Sequence, residues 1–480
     1  MLQRWIIAMI AICLITGLAF SQGAKVGGEA RQIAMGGSNA GSSVVVNPFL
    51  IDDPTFILVN PAYQARYGSY IWWNIGGGTT TGNTTPACDG YGQQNLGVSF
   101  NLSKDLIVGA TFAYDPSAAA IARNLLSGGT VATATIPAFI PDVARGGGVT
   151  GPQTIPAIQN VYELLAALRT GAMDLGFGFT YGTSKNNHTL DVPAGGTSID
   201  NTASSSMLGF RGGLIIDMGS GSLFDAHAAL RLDKATDNVT LSPAATGQGS
   251  EYSASATEID LGARMRMHVS NHFSFVPYGS AILISASPQE DKPLNAAAPI
   301  GYDEKVNITT IAFGAGGEYK SSNFLLAGGA SFVMIKAKGE ATTKAVGTTP
   351  STTTTNTTTY TAIPSFNLGA EWWLTDWLAA RGGFSRMLGN LSTKSETPAG
   401  ATGTATDETI VSQPQSLLQL GGINSTSYEG LVTLGLGLRF GNYSLDATVS
   451  DGALRRGLGL LGTNDNMNTF GYMTMSYNFE

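Results

Sequence analysis

The chain has 480 residues, a formal net charge of -8 and only 12% charged residues, alongside 62 glycines and 43% hydrophobic residues. Soluble domains carry about twice that share of charge, yet beyond the N-terminus no apolar run reaches the roughly 20 residues a membrane-spanning helix needs. Two cysteines exclude a disulfide scaffold, and no basic stripe points to nucleic acid.

Residues 1–21 read as a secretory signal peptide. Arg4 precedes an apolar core from Ile6 to Phe20, and Ala19-Phe20-Ser21 supplies a small-x-small cleavage site. Cys13 follows Ile12, where lipidation requires a small residue, so the mature chain keeps a single thiol, Cys88.

Residues 22–66 lack any long alternation. They carry Met35-Gly36-Gly37 followed by small residues, then Asp52-Asp53-Pro54, then Asn60-Pro61-Ala62 just before the first strand. Glycine permits close backbone approach, proline stops strand extension, and Asn or Asp side chains fix turns. This pattern resembles the N-terminal segment of the FadL-type long-chain fatty-acid transporters and their relatives. The resemblance implies a hatch formed by residues 22–66 and seated inside a barrel of fourteen strands. The insertion from Ser42 to Leu50 departs from the family spacing, and no family ligand-binding residue can be placed on this chain.

From residue 67 to 480 the pattern has period two, the signature of strands whose successive side chains point to opposite faces. In "YEGLVTLGLGLRF", Val432, Leu434, Leu436, Leu438 and Phe440 alternate with Thr433, Gly435, Gly437 and Arg439. Strands of about ten residues, apolar on one face, small or polar on the other and tipped with aromatics, predict an all-β, antiparallel transmembrane barrel of the outer membrane. Fifteen candidate strands can be placed, and a barrel with both ends on one side needs an even number. Fourteen is the expectation and sixteen the alternative. Short turns such as Gly441-Asn442 alternate with long polar connections, and the Thr-rich stretch Gly347 to Ala362 reads as one of these loops. A lateral exit, which the resemblance implies, has a candidate at Gly109 on the strand near 105–115.

Residues 116–170 read as an extracellular insertion with two short helices, "SAAAIARNLL" and "NVYELLAALR", the second of which could instead be a sixteenth strand. Ile121, Leu125, Leu126, Val161, Leu164, Leu165 and Leu168 form a candidate apolar groove for ligand capture, with mutual helix packing as the plainer reading. The polar strand faces place Arg211, Arg231, Glu258, Asp260, Arg264, Arg266, Glu318, Glu371, Arg381 and Arg439 in the lumen. Their mixed sign favours bracing ion pairs over a charge-selecting pore. The last strand carries Met473, Met475, Tyr477 and Phe479 on one face, a candidate assembly signal.

No catalytic, metal-binding or cofactor-binding constellation stands out among four histidines and scattered acids, so no cofactor and no enzymatic activity are expected. The expected function is uptake of hydrophobic, fatty-acid-like molecules through a hatch-plugged barrel in the outer membrane of a Gram-negative-type bacterium. A PorV-like scaffold for protein secretion and a general porin are the alternatives. Expected partners are outer-membrane lipids, a hydrophobic small-molecule ligand and the barrel-assembly machinery.

Overall fold

The structure is a computed structural model. It describes residues 27–37, 46–76, 95–112, 160–190, 198–242, 250–292, 302–343, 352–396, 406–411, 431–449 and 470–479. In order, the strands are β1 (Tyr70–Gly76), β2 (Asn95–Asn101), β3 (Leu106–Phe112), β4 (Asn160–Thr170), β5 (Met173–Leu190), β6 (Ser198–Gly219), β7 (Ser222–Ser242), β8 (Ser250–His268) and β9 (Phe273–Lys292). There follow β10 (Tyr302–Lys320), β11 (Phe324–Thr343), β12 (Thr352–Trp373), β13 (Leu378–Glu396), β14 (Thr406–Val411), β15 (Leu431–Phe440), β16 (Tyr443–Val449) and β17 (Phe470–Asn478).

Apart from the short β14, each strand pairs antiparallel with the next along the chain, and β17 pairs with β1 to close the sheet. Closure leaves no free edge, which a lipid-embedded sheet requires. The short β14 pairs only with Leu391–Glu396 of β13, while β15 takes Leu378–Ser385 of the same strand. Among the described residues, removing β14 from the 17-stranded sheet leaves sixteen strands in the closed circuit. The expectation of fourteen is thereby corrected.

The sixteenth strand is β4, where a helix was expected. "NVYELLAALR" is rich in good helix formers, but pairing with β3 and β5 along its length overrides that preference. Its alternation has a use: Val161, Glu163 and Leu165 are buried and inward, whereas Tyr162, Leu164 and Leu168 are exposed and outward. The Thr-rich stretch is corrected too, since residues 352–362 belong to β12. The central strands run well beyond their expected ends, and β6 and β12 reach 22 residues each.

Tight turns, including Gly171, Gly221 and Gly441 at positive φ, gather at one end of the barrel with Ser69 and Phe479. Near this short-turn end, exposed aromatics ring the outer face: Phe100, Phe273, Tyr319, Trp372, Tyr443 and Phe479. The outer face stays apolar for about ten residues and then changes character at one level. Tyr181 gives way to Thr183 on β5, Leu232 to Lys234 on β7, Leu283 to Ser285 on β9 and Met334 to Lys336 on β11. An apolar band bounded in this way is the outer surface that lipid requires. Near its far boundary β12 carries one extra residue against both neighbours, its Ala362–Ser365 step facing Val333–Ser331 of β11 and Gly389–Met387 of β13.

Candidate functional site: the plugged lumen

The segment before β1 lies inside the barrel at the short-turn end. A short helix, Glu29–Ala34, packs against β13, β15, β16 and β17. Ala30 donates its N–H to Thr474 Oγ1 (3.1 Å), Thr433 Oγ1 donates to the Ala34 carbonyl (3.2 Å), and Asn367 Nδ2 donates to the Gly36 carbonyl (2.8 Å). Close approach depends on wall glycines. A Cβ at Gly369 would lie 2.2 Å from the Met35 carbonyl oxygen, and one at Gly383 would lie 2.1 Å from Gly36 N. Gly36 itself has φ +72, a conformation that side chains with a Cβ rarely adopt.

Two acid-or-amide caps fix the rest of the segment. Asp53 caps the 3-10 turn Pro54–Leu58 by accepting from Thr55 N–H (2.9 Å), and Asn60 caps Pro61–Tyr63 by accepting from Ala62 N–H (3.0 Å). Proline at the first helical position suits both turns, because its missing N–H would have no partner there. Asn60 Nδ2 also donates to the Ala226 carbonyl (3.1 Å) on β7. The neighbouring wall is again glycine: a Cβ at Gly176 would lie 2.0 Å from Ala62 N.

A buried ion ladder joins segment to wall. Arg31 contacts Asp53 (2.9 Å) and Glu371 (2.8 Å); Glu371 also receives Arg381 (2.6 Å), which reaches Asp446 (2.5 Å). All five side chains are almost fully buried. A second node forms where Tyr63 Oη donates to Asp225 (2.5 Å), Arg264 donates to the same carboxylate (2.6 Å) and to Tyr63 Oη (2.8 Å), and the Arg264 guanidinium lies 3.6 Å from the Phe56 ring centroid. Asp52, at the open side, accepts from Arg266 (3.1 Å) and Lys320 (3.4 Å). Burial pushes the Glu29 carboxyl up to about 7, against a hydrogen bond from Asn95 that favours the charged form. Burial likewise raises Asp53 above the ordinary carboxylate range, opposed by Arg31.

The segment residues singled out in sequence therefore meet the wall at Met35, Gly36, Asp52, Asn60 and Ala62, Asp53 holds Arg31 within the segment, and Pro61 starts a turn. Of the lumen charges, Arg211 pairs with Glu163, Arg231 with Asp233 (3.0 Å) and Glu258 (2.8 Å), and Asp260 with His227 (3.7 Å). Glu318 accepts from Ile51 N–H (3.4 Å), and the Arg439 guanidinium lies 5.9 Å from the Trp373 ring. The expected groove does not form from β4: Val161 and Leu165 face inward, Leu164 and Leu168 outward, and Ile121, Leu125 and Leu126 lie outside the described residues. The ladder runs unbroken through Gly109, paired with Ser99 and Leu165, so no opening exists there. On β17, Met475 and Phe479 are exposed outward, Met473 and Tyr477 partly so, and Phe479 N–H closes the seam on the Ser69 carbonyl (3.0 Å).

Sequence reading passed over Arg31, Tyr63 and Glu163. Arg31 is one of three cations in residues 22–66, with Lys25 and Arg66, and nothing in its sequence context set it apart. Glu163 was hidden by the helical reading of its stretch.

Beyond the segment, toward the long connections, the inner wall divides into an apolar strip on β9 to β11 and a charged one on β7 and β8, where Arg231, Asp233, Asp237 and Glu258 are buried and inward. Ile282 and Ile284 on β9, Val306 and Ile308 on β10, and Val333 on β11 are buried and inward. At the floor of this region a cavity of about 90 Å³ opens between Val46, Phe56 and Val59 of the segment and His227, Tyr278 and Ile282 of the wall.

No family model matches the chain, and no curated protein matches its sequence. Solved structures do resemble it. The toluene transporter TodX of Pseudomonas putida is 10% identical, with 95% of this chain and 99% of that one covered and a TM-score of 0.37. The toluene transporter TbuX of Ralstonia pickettii is 9% identical over 95% and 99%, with a TM-score of 0.34. The ferric yersiniabactin uptake receptor FyuA of Yersinia pestis is 9% identical over 86% and 80%, with a TM-score of 0.33.

Proposed function

We propose that this chain is an outer-membrane barrel that admits hydrophobic small molecules past a resident plug formed by its own N-terminal segment. The observation that carries the reading is the change of the interior along its axis. At the short-turn end the lumen is filled by residues 27–37 and 46–68, held by backbone contacts and a buried ion ladder. Above that filling, Ile282, Ile284, Val306 and Ile308 form an apolar strip on β9 and β10, beside the Arg231–Asp233–Glu258 network of β7 and β8. A water-filled porin has polar inner walls and passes hydrophilic solutes; an apolar wall above a plug suits a ligand that leaves water on entry. In this reading the long-loop end faces outside the cell, and the bulge of β12 between Ala362 and Ser365 is the candidate for the sideways exit in place of Gly109. Fatty-acid-like compounds are the proposed class.

The test uses protein reconstituted in vesicles whose outer leaflet is lipopolysaccharide, which slows unassisted entry of apolar solutes. Labelled fatty acid should enter faster with protein than without, and labelled glucose should not. Ile284→Asp with Ile308→Asp, a cross-strand pair on β9 and β10, should slow fatty-acid entry. Fatty-acid entry equal to that of protein-free vesicles would reject the reading.

A further inference from the structure

The outer face just past the apolar band is cationic, against the balance of a chain with 26 Lys and Arg to 34 Asp and Glu. On β5 to β12 the first three outward positions beyond the band carry Lys185, Lys234, Lys305, Lys336 and Lys338, and one carboxylate, Glu340. Every other such position on these strands is Ser, Thr, Asn or Gln. Glu340 lies 2.5 Å from Lys338 and opposite Lys305 in the ladder. The next outward acids, Asp200, Glu251 and Asp303, stand further from the band. Among the described residues, Lys185, Lys234 and Lys336 are exposed and have no ion-pair partner. Their cross-strand neighbours are hydroxyls: Ser204 beside Lys185, Ser206 and Ser255 beside Lys234, Thr309 and Thr359 beside Lys336. The polar wall then continues well past the lysines. On β12, Thr361 to Thr353 present alternate threonines outward, a run of about 26 Å along the strand at about 3.3 Å per residue. At a barrel tilt of about 40° that is roughly 20 Å of height, whereas a phospholipid headgroup layer is only about 5–8 Å deep.

We infer that the outer face of β5 to β12 is a docking surface for a phosphorylated glycolipid of the outer leaflet, of the lipid A class. Lys234 and Lys336 directly follow the last apolar residues, Leu232 and Met334. Their stems lie on the apolar band and their ammonium groups stand in the headgroup layer, at the depth of the lipid phosphates. Lysine binds phosphate as a point charge, so the separate lysines serve separate phosphates without a shared geometry. The Ser and Thr wall above them offers donors and acceptors to sugar hydroxyls, at a height that a phospholipid head does not reach. The inference takes the outward orientation of the long-loop end from the reading above, but it does not depend on uptake of hydrophobic molecules.

The experiment is native mass spectrometry of the full chain in neutral detergent, titrated with bisphosphoryl lipid A and, separately, with phosphatidylglycerol. Lipid A should bind saturably. Lys185→Gln/Lys234→Gln/Lys336→Gln should weaken it about a hundredfold, at about fivefold for each lysine near an anionic surface. The same three positions changed to Arg, which keeps the charge, should retain most of the affinity. Monophosphoryl lipid A should bind the intact chain more weakly, and should be less sensitive to the triple Gln change. Phosphatidylglycerol should bind more weakly than lipid A. Lys104→Gln, in the turn between β2 and β3 at the opposite end, should leave lipid A binding as it is. Equal lipid A affinity in the intact chain and the triple Gln variant would overturn the inference, as would an equal loss in Lys104→Gln. Phosphatidylglycerol bound as tightly as lipid A, with the same loss in the triple variant, would overturn the glycolipid and leave a plain anionic-lipid collar. Retention of the heat-modifiable barrel band on gels separates loss of binding from loss of fold. The assay contains no transport step, so a failure of fatty-acid entry in vesicles and a failure of lipid A binding are told apart.

Discussion

The two ends of this barrel use their faces in opposite ways. At the short-turn end the outer wall is apolar and the inner wall is glycine, ion pair and a docked segment. Toward the long connections the outer wall carries Lys234, Ser285 and Lys336, and the inner wall adds an apolar strip, Ile282, Ile284 and Ile308, beside the charged network of Arg231, Asp233 and Glu258. A single period-two pattern supports both, because the strand only alternates and the environment decides which face must be dry. The lesson is that alternation locates strands but does not by itself say which solvent lies on which side. The level at which polarity changes on each face does.

The sharpest challenge to the packed half is Arg31→Met. It leaves Asp53 and Glu371 buried without their shared cation, and breaking a buried pair from one side costs about 3–5 kcal/mol. Hydrogen exchange should speed up over residues 27–37 while the strands stay protected. Unchanged exchange there would mean the ladder does not hold the segment.

The outer-face contrast is tested by two arginines. Leu436→Arg, in the apolar band on β15, should cost about 2–4 kcal/mol if it lies near the midplane, whereas Ser285→Arg, past the boundary on β9, should cost about 0–1 kcal/mol. Reversible unfolding in bilayers reads the difference. Equal costs would show that the polarity change is not a membrane boundary.

The smallest effect concerns Glu29. Its carboxyl is raised from 4.5 to about 7 in the folded protein. Between these values the folded state holds a proton that the released segment gives up, so seating is favoured at low pH and weakens as pH rises through 7. Protection factors over residues 27–37, with the intrinsic pH dependence of amide exchange divided out, should be higher at pH 5 than at pH 8, and Glu29→Gln should flatten that difference. A dependence of the opposite sign would contradict the burial of this group.

Much of the barrel was legible because exposure to lipid leaves a strict alternation, as in Val432 to Phe440. β4 was read first as a helix, with a sixteenth strand as the alternative, because Tyr162 to Arg169 uses Leu, Ala, Glu and Arg, whose helical preference outweighs a short alternation until β3 and β5 supply partners. The strand ends were misjudged for another reason. Past the band boundary the outer residues become Ser and Thr, and a polar two-sided strand reads as loop. In the segment, Asp53 and Asn60 could be recognised as turn makers before proline. Their partners, Arg31, Thr55 and the carbonyl of Ala226, are contacts that only the closed barrel brings together. The wall glycines at 176, 369 and 383 are the complement of that segment, and nothing in their own strands explains them.

The central claim is that the segment closes the barrel, and planar-bilayer conductance tests it most directly. The intact chain should show low conductance to potassium chloride. Deleting Ala24 to Pro61, with the signal cleavage site kept, should give stable, large open steps. Equal, high conductance before and after the deletion would show that the segment is no plug and would favour a general porin.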